Sequence, residues 1–234
     1  MRISDAHHFR KTVAGMCMVF SPLLLLVGAI VQPQMKTDEG AQLAVIADNL
    51  DQWFVANVLI LAAVALAVPA VLGLMHMLRE REVAYGHLGG GLGVLGLMAI
   101  TGLVTMDGFV GWQAAVGDAD RTQMTALFQR LHDTTGVYAP FFIVSFAFTL
   151  GIVLLAIGLY RARAVQSWMA AFIAIAAIAL AVGSTAAIDW MFVVGSAFMF
   201  VGLASIGRYV LTETDEDWEH TPEYKGFRPL AGMR

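Results

Sequence analysis

Six stretches of the chain contain no Asp, Glu, Lys or Arg: residues 13–31, 53–77, 88–106, 136–160, 165–182 and 190–207. A helix crosses the hydrocarbon core of a bilayer with about 20 apolar residues, so each stretch predicts one transmembrane helix. Pro22, Pro69 and Pro140 fall inside or near the start of these runs. Neighbouring helices can re-satisfy the carbonyls a proline frees, and bends are expected at these points.

The polar connections carry a pattern of their own. In residues 40–51, Leu43, Ile46, Ala47 and Leu50 fall at i, i+3, i+4 and i+7. In residues 120–133, Met124, Leu127, Phe128 and Leu131 repeat that spacing, and Asp120 with Gln123 resembles a capping box. Each predicts a short amphipathic helix on the outer membrane face or folded over the bundle. The connection around Asp189 is too short for one.

Eleven of the fourteen Lys and Arg residues fall on the side shared by both termini. Only Lys36, Arg121 and Arg130 fall on the other. The positive-inside rule then puts both termini in the cytoplasm, and the chain in the cytoplasmic membrane. A shift of 85 residues takes Asp48 to Asp133, Trp53 to Tyr138, Gly73 to Gly158 and Leu74 to Leu159. The six helices read as three hairpins of the same orientation, the third shortened, which is a common way to build membrane bundles. The expected fold is an all-α polytopic bundle over residues 1–210, followed by a polar, acidic cytoplasmic tail over 211–234.

Composition agrees. Of 234 residues, 59% are hydrophobic and 14% charged, against about 25% charged in an average soluble domain. Lipid must solvate much of the surface. The net charge of −4 and scattered basic residues give no nucleic-acid surface. The single cysteine, Cys17, lies in the first apolar run and reads as a packing residue. The basic N-terminal segment resembles a signal peptide. The uncharged run after it is long and ends in Gln-Pro-Gln, so it reads as a retained first helix.

Candidate chemistry is sparse. All three lysines, Lys11, Lys36 and Lys225, lie outside the expected spans, and no span holds an arginine. These absences argue against a retinal Schiff base, a voltage sensor or an ion pump. His76 and His87 flank a charged turn and read as interfacial. On the outer side Asp48, Asp51, Asp107, Asp118, Asp120, His132, Asp133 and Asp189 gather. If the amphipathic helices fold inward, Asp107, His132, Asp133, Asp48 and Asp189 can converge on the mouth of the bundle, where carboxylates and imidazole suit a metal, a proton or a small substrate. Asp107, expected to end the third helix at the membrane boundary, is the sharpest candidate. No specific motif implies a cofactor, and no Walker loop, dinucleotide fingerprint or nucleophile elbow is present. Gly86/Gly90 and Gly89/Gly93 are spaced four apart on helix three and predict close approach of another helix, in this chain or a partner. In the tail, Trp218, Tyr224 and Phe227 could anchor a cytoplasmic partner.

The segments Ala14-Gly15, Pro22 with the four leucines after it, Gln42-Leu43 with Asp48 and Trp53, Pro69 to Leu74, and Met106-Asp107-Gly108-Phe109 together resemble a broad group of uncharacterised bacterial six-helix membrane proteins. That likeness implies topology and no activity. Two functions follow as expectations. One is a non-catalytic accessory or scaffold subunit that meets lipid and other membrane subunits or its own copies. The alternative is a binding, catalytic or transport protein with an outward-facing acidic and histidine site.

Overall fold

A computed structural model describes residues 6–117, 120–133 and 138–219. Every regular element among them is helical. α1 (Ala6–Val31) leads through a linker to α2 (Glu39–Asp48) and α3 (Leu50–Met77). α4 (Val83–Leu103) widens into a π-helical segment (Val104–Val110) and continues as α5 (Gly111–Ala115). α6 (Arg121–Asp133) precedes α7 (Tyr138–Arg161), α8 (Ser167–Thr185) and α9 (Asp189–Thr212), and a single turn, α10 (Asp215–Trp218), follows. Six helices are long and apolar enough to cross a membrane, the third running unbroken from Val83 to Ala115. The chain is an integral membrane protein.

These spans follow one another round a ring, α1, α3, α4, α7, α8 and α9, which closes because α9 packs along α1. Glycine makes the tight seams. Side chains cannot interdigitate where two backbones touch, so the residues there must be small. Gly89 lies against the Gly151 carbonyl and the Leu155 amide, 2.8 and 2.9 Å from where a Cβ would sit. Gly96 lies against the Phe148 backbone, and Gly15 and Gly207 bring α1 and α9 together. Gly90 and Gly93 meet Met75 and Val71 of α3, and Gly86 meets Leu78 just past its end. The glycine face of α4 is thus used inside this chain, toward α7 on one side and α3 on the other. Aliphatic side chains such as Leu74, Leu155, Ile173 and Ile206 fill the core.

Two expected boundaries move for one reason: a charged residue joins a helix when its charge is answered. α1 starts before Lys11, which is buried, donates from Nζ to the Glu213 carbonyl at 2.8 Å and pairs with Asp215. The third span does not stop at Met106 but carries Asp107 within it.

α2 and α6 both sit at one end of the ring, against α5. Asp38 caps α2 by accepting from the Ala41 amide at 2.7 Å, and Asp120 caps α6 by accepting from the Thr122 amide at 2.9 Å. Leu43, Ile46, Trp53 and Phe128 form a small apolar cluster that fastens them there. At the other end α10 folds back on the bundle. Trp218 is 3% exposed and stacks on His76 at 4.6 Å, while its carbonyl accepts from Arg79 at 3.1 Å. Trp218 thus packs within the chain itself. Glu213, just before the turn, has its carboxyl pushed up to about 6 by burial and by nearby Asp217. Tyr224 and Phe227 lie outside the described residues.

Candidate functional site at the mouth of the helix ring

The π segment builds the site. Thr101 and Thr105 turn their hydroxyls onto carbonyls one turn back, at 2.8 Å each, and compete with the regular helix ladder just where it widens. Single π turns in α-helices occur mostly at functional positions. Gly108 lets Asn57 of α3 lie against the segment's backbone, in space a Cβ would need. The Trp53 indole donates to the Gly108 carbonyl at 2.9 Å, and Asn57 Nδ2 donates to the Trp53 carbonyl at 2.9 Å. The Trp53 bond fixes the segment to α3 and satisfies a carbonyl that would be costly to leave unmet in a membrane span.

Asp107 projects from this segment. His132, in the last turn of α6, places Nε2 3.0 Å from Asp107 Oδ1. Tyr138, the first residue of α7, donates its hydroxyl to Asp107 Oδ2 at 3.3 Å. The other ring nitrogen of His132, Nδ1, faces the Phe128 carbonyl at 2.9 Å. Both ring nitrogens thus face oxygens, and a proton on each would make His132 an imidazolium paired with the Asp107 carboxylate. The hydrogen bond to Asp107 raises the His132 pKa above its ordinary value, outweighing burial, which lowers it. Both nitrogens of His132 are thus engaged inside the site. Phe128 and Tyr138 flank its ring, each at 4.5 Å.

The cluster sits at the rim of a cavity of about 530 Å³ lined by residues of all six spans. The lining is apolar along Ile60, Val64, Leu97, Ile152, Ala177 and Met199, and becomes polar where Gln32, Lys36, Glu39 and Gln42 of the α1–α2 region face Asp107, His132 and Tyr138 across the mouth. A volume of a few hundred Å³ with an apolar wall and a few convergent polar groups is the usual form of a small-ligand site. Gln42 is 8% exposed; its Oε1 accepts from the Lys36 amide at 2.6 Å, and its Nε2 has no partner.

Of the five residues expected to converge, the structure brings together Asp107 and His132. Asp189 faces elsewhere: its Oδ1 accepts from the Met35 amide at 3.0 Å and ties the α1–α2 linker to the start of α9. Asp48 is exposed at the end of α2. Asp133 closes α6, and its side chain is outside the described residues. No group of three or more His, Cys, Asp or Glu side chains among the described residues is placed to hold a metal ion. His76 and His87 do not meet as ligands: one stacks on Trp218, the other turns back onto the Val83 carbonyl at 3.0 Å. Tyr138, read in the sequence as an interfacial aromatic on the outer side, and Gln42 and Gln32 are the site residues outside the expected five. The 85-residue offset pairing Tyr138 with Trp53 was the available signal for the first. The glutamines carried none. Comparison of the chain with protein-family models, with curated proteins and with solved structures finds no match.

Proposed function

We propose that this protein binds an amphipathic, membrane-soluble molecule inside its helix ring, with the polar end of that molecule held at the Asp107–His132–Tyr138 mouth. The observation that carries this reading is the cavity itself, apolar over most of its lining and ending on Asp107 of the third span with His132 bonded to it. An ionisable group carried within a membrane span is expensive and marks a ligand path by default. The binding reading takes precedence over the accessory-subunit reading because two of the features that favour the latter, the glycine face of α4 and Trp218, engage residues of this chain.

The charge bias supports α2 and α6 as amphipathic helices on the outer face and the α10 end as cytoplasmic, in the cytoplasmic membrane. The repeat of parallel hairpins gains support from Trp53 and Tyr138. Each lies in the first turn of its helix, and they bond to adjoining residues of the π segment. The binding test uses a variant that keeps Trp53, which lines the cavity, with the other four tryptophans changed to Phe. A brominated long-chain compound in nanodiscs should quench Trp53. Filling the cavity with Ala67→Phe and Ala181→Phe should abolish that quenching. Equal quenching in the filled variant would sink the reading.

A further inference from the structure

We infer that the occupant of this cavity carries an uncharged, hydroxyl-bearing head on a long alkyl chain, a fatty alcohol or a monoacylglycerol in chemical class; this rests on the binding reading above. The argument is one of charge and of unmet hydrogen bonds.

Asp107, His132 and Lys36 at the mouth hold hydrogen-bond partners before any ligand arrives. Asp107 spends one oxygen on His132 and the other on Tyr138, and both His132 nitrogens are engaged. Lys36 directs its ammonium to Gln34 Oε1 at 3.0 Å, and Glu39 adds an opposite charge on the same rim. A carboxylate, ammonium or phosphate head passing below this rim would bring its charge into a largely apolar chamber, at a large desolvation cost. Phosphate recognition in particular calls for a fork of arginine or a lysine cluster, and Lys36 is the one basic side chain besides His132 among the lining residues.

What remains open is neutral. Gln42 Nε2 is a buried donor without an acceptor, and its orientation is set because Oε1 is taken by the Lys36 amide. Gln32 Oε1 is a buried acceptor without a donor. Tyr138 gives its proton to Asp107 and keeps lone pairs that can accept. All three line the cavity. A hydroxyl accepts and donates at once, so it satisfies Gln42 together with Gln32 or Tyr138. A glycerol head offers a second hydroxyl for the remaining acceptor. Below the mouth the lining of α7 runs from Tyr138 to Ile152, about 21 Å at the rise of an α-helix, which accommodates an extended alkyl chain.

The experiment compares brominated octadecanol, octadecanoate and octadecylamine, with the same chain and different heads, in the Trp53 quenching assay. The alcohol should bind at least about tenfold more tightly than the acid or the amine. Gln42→Leu should weaken the alcohol about threefold to tenfold, the worth of one hydrogen bond, and leave a brominated alkane unaffected. Acid or amine binding as tightly as the alcohol overturns the head-group assignment while the cavity reading stands. Failure of all three probes, and of the alkane, overturns the cavity reading itself. Should Gln42→Leu not fold, the comparison of heads on the unsubstituted mouth decides alone.

Discussion

Replacing Gly151 by Ala tests the ring at its tightest seam. The added Cβ would sit 2.8 Å from the Gly93 Cα and closer still to the backbone of Gly89 and Gly93. Carbon atoms pack at about 3.5–4.0 Å, so α4 and α7 must part by roughly 1 Å, and no side-chain rotation can relieve it. A gap of that size forfeits about a third of each contact along the seam. Over ~50 atom pairs at about 0.15 kcal/mol each, the loss is about 2–3 kcal/mol, at the upper end for overpacking. Alanine returns about 1 kcal/mol through its better helix propensity, leaving a net destabilisation of about 1–2 kcal/mol. Gly91 is the control, because nothing lies within 4 Å of its missing Cβ. Gly91→Ala should be neutral or stabilising by up to about 1 kcal/mol. Gly90→Ala should fall between them, since its Cβ meets the side chain of Met75, which can turn away. Reversible unfolding in mixed micelles, followed by helicity, reads all three. If Gly151→Ala and Gly91→Ala unfold together, the close backbone contact is not there and the ring is misdrawn.

Two further outcomes follow from contacts at the ends of the ring. Trp218→Ala removes a buried indole, a change worth about 3–5 kcal/mol in a core, but α10 can detach without melting the bundle. Hydrogen exchange should therefore accelerate at residues 213–219 with little change in the spans, and unchanged protection of the Trp218 amide would refute the docking. The His132 pairing should depend on pH in a definite direction. The folded pKa lies above the ordinary 6.5, so the stability it contributes is whole below pH 6.5 and drains away as pH rises through the raised value. Exchange in α6 should quicken on that alkaline side, and Asp107→Asn should remove the dependence. A His132 ring that titrates at or below 6.5 by NMR contradicts the pairing.

The spans were legible because an apolar run of the right length has one stable outcome in lipid, and the two shorter helices because of their i, i+3, i+4 spacing. Charge was the misleading cue. Asp107 looked like a boundary because a carboxylate is expected in water, and its partner His132 lies 25 residues away on a different helix, a distance no periodicity encodes. Lys11 misled in the same manner, being answered by Asp215 some two hundred residues later. The glycines of α4 announced close approach, yet which helix approaches depends on backbone register that only the folded chain sets. Trp218 sits among acidic residues that read as solvated, and its stacking on His76 is purely tertiary. Gln42 and Gln32 give no pattern at all: an amide becomes a site residue only when the fold denies it a partner.

The packing of α9 along α1 also bears on biosynthesis. α1 is the earliest of the six spans to leave the ribosome and α9 the latest, so the groove of α1 around Gly15 and Met18 waits in the bilayer while the other four are inserted. During that interval the nascent chamber is a trough, open sideways to the acyl chains around it. Lipid occupies it by default, and the arrival of α9 must either expel that lipid or seal it inside.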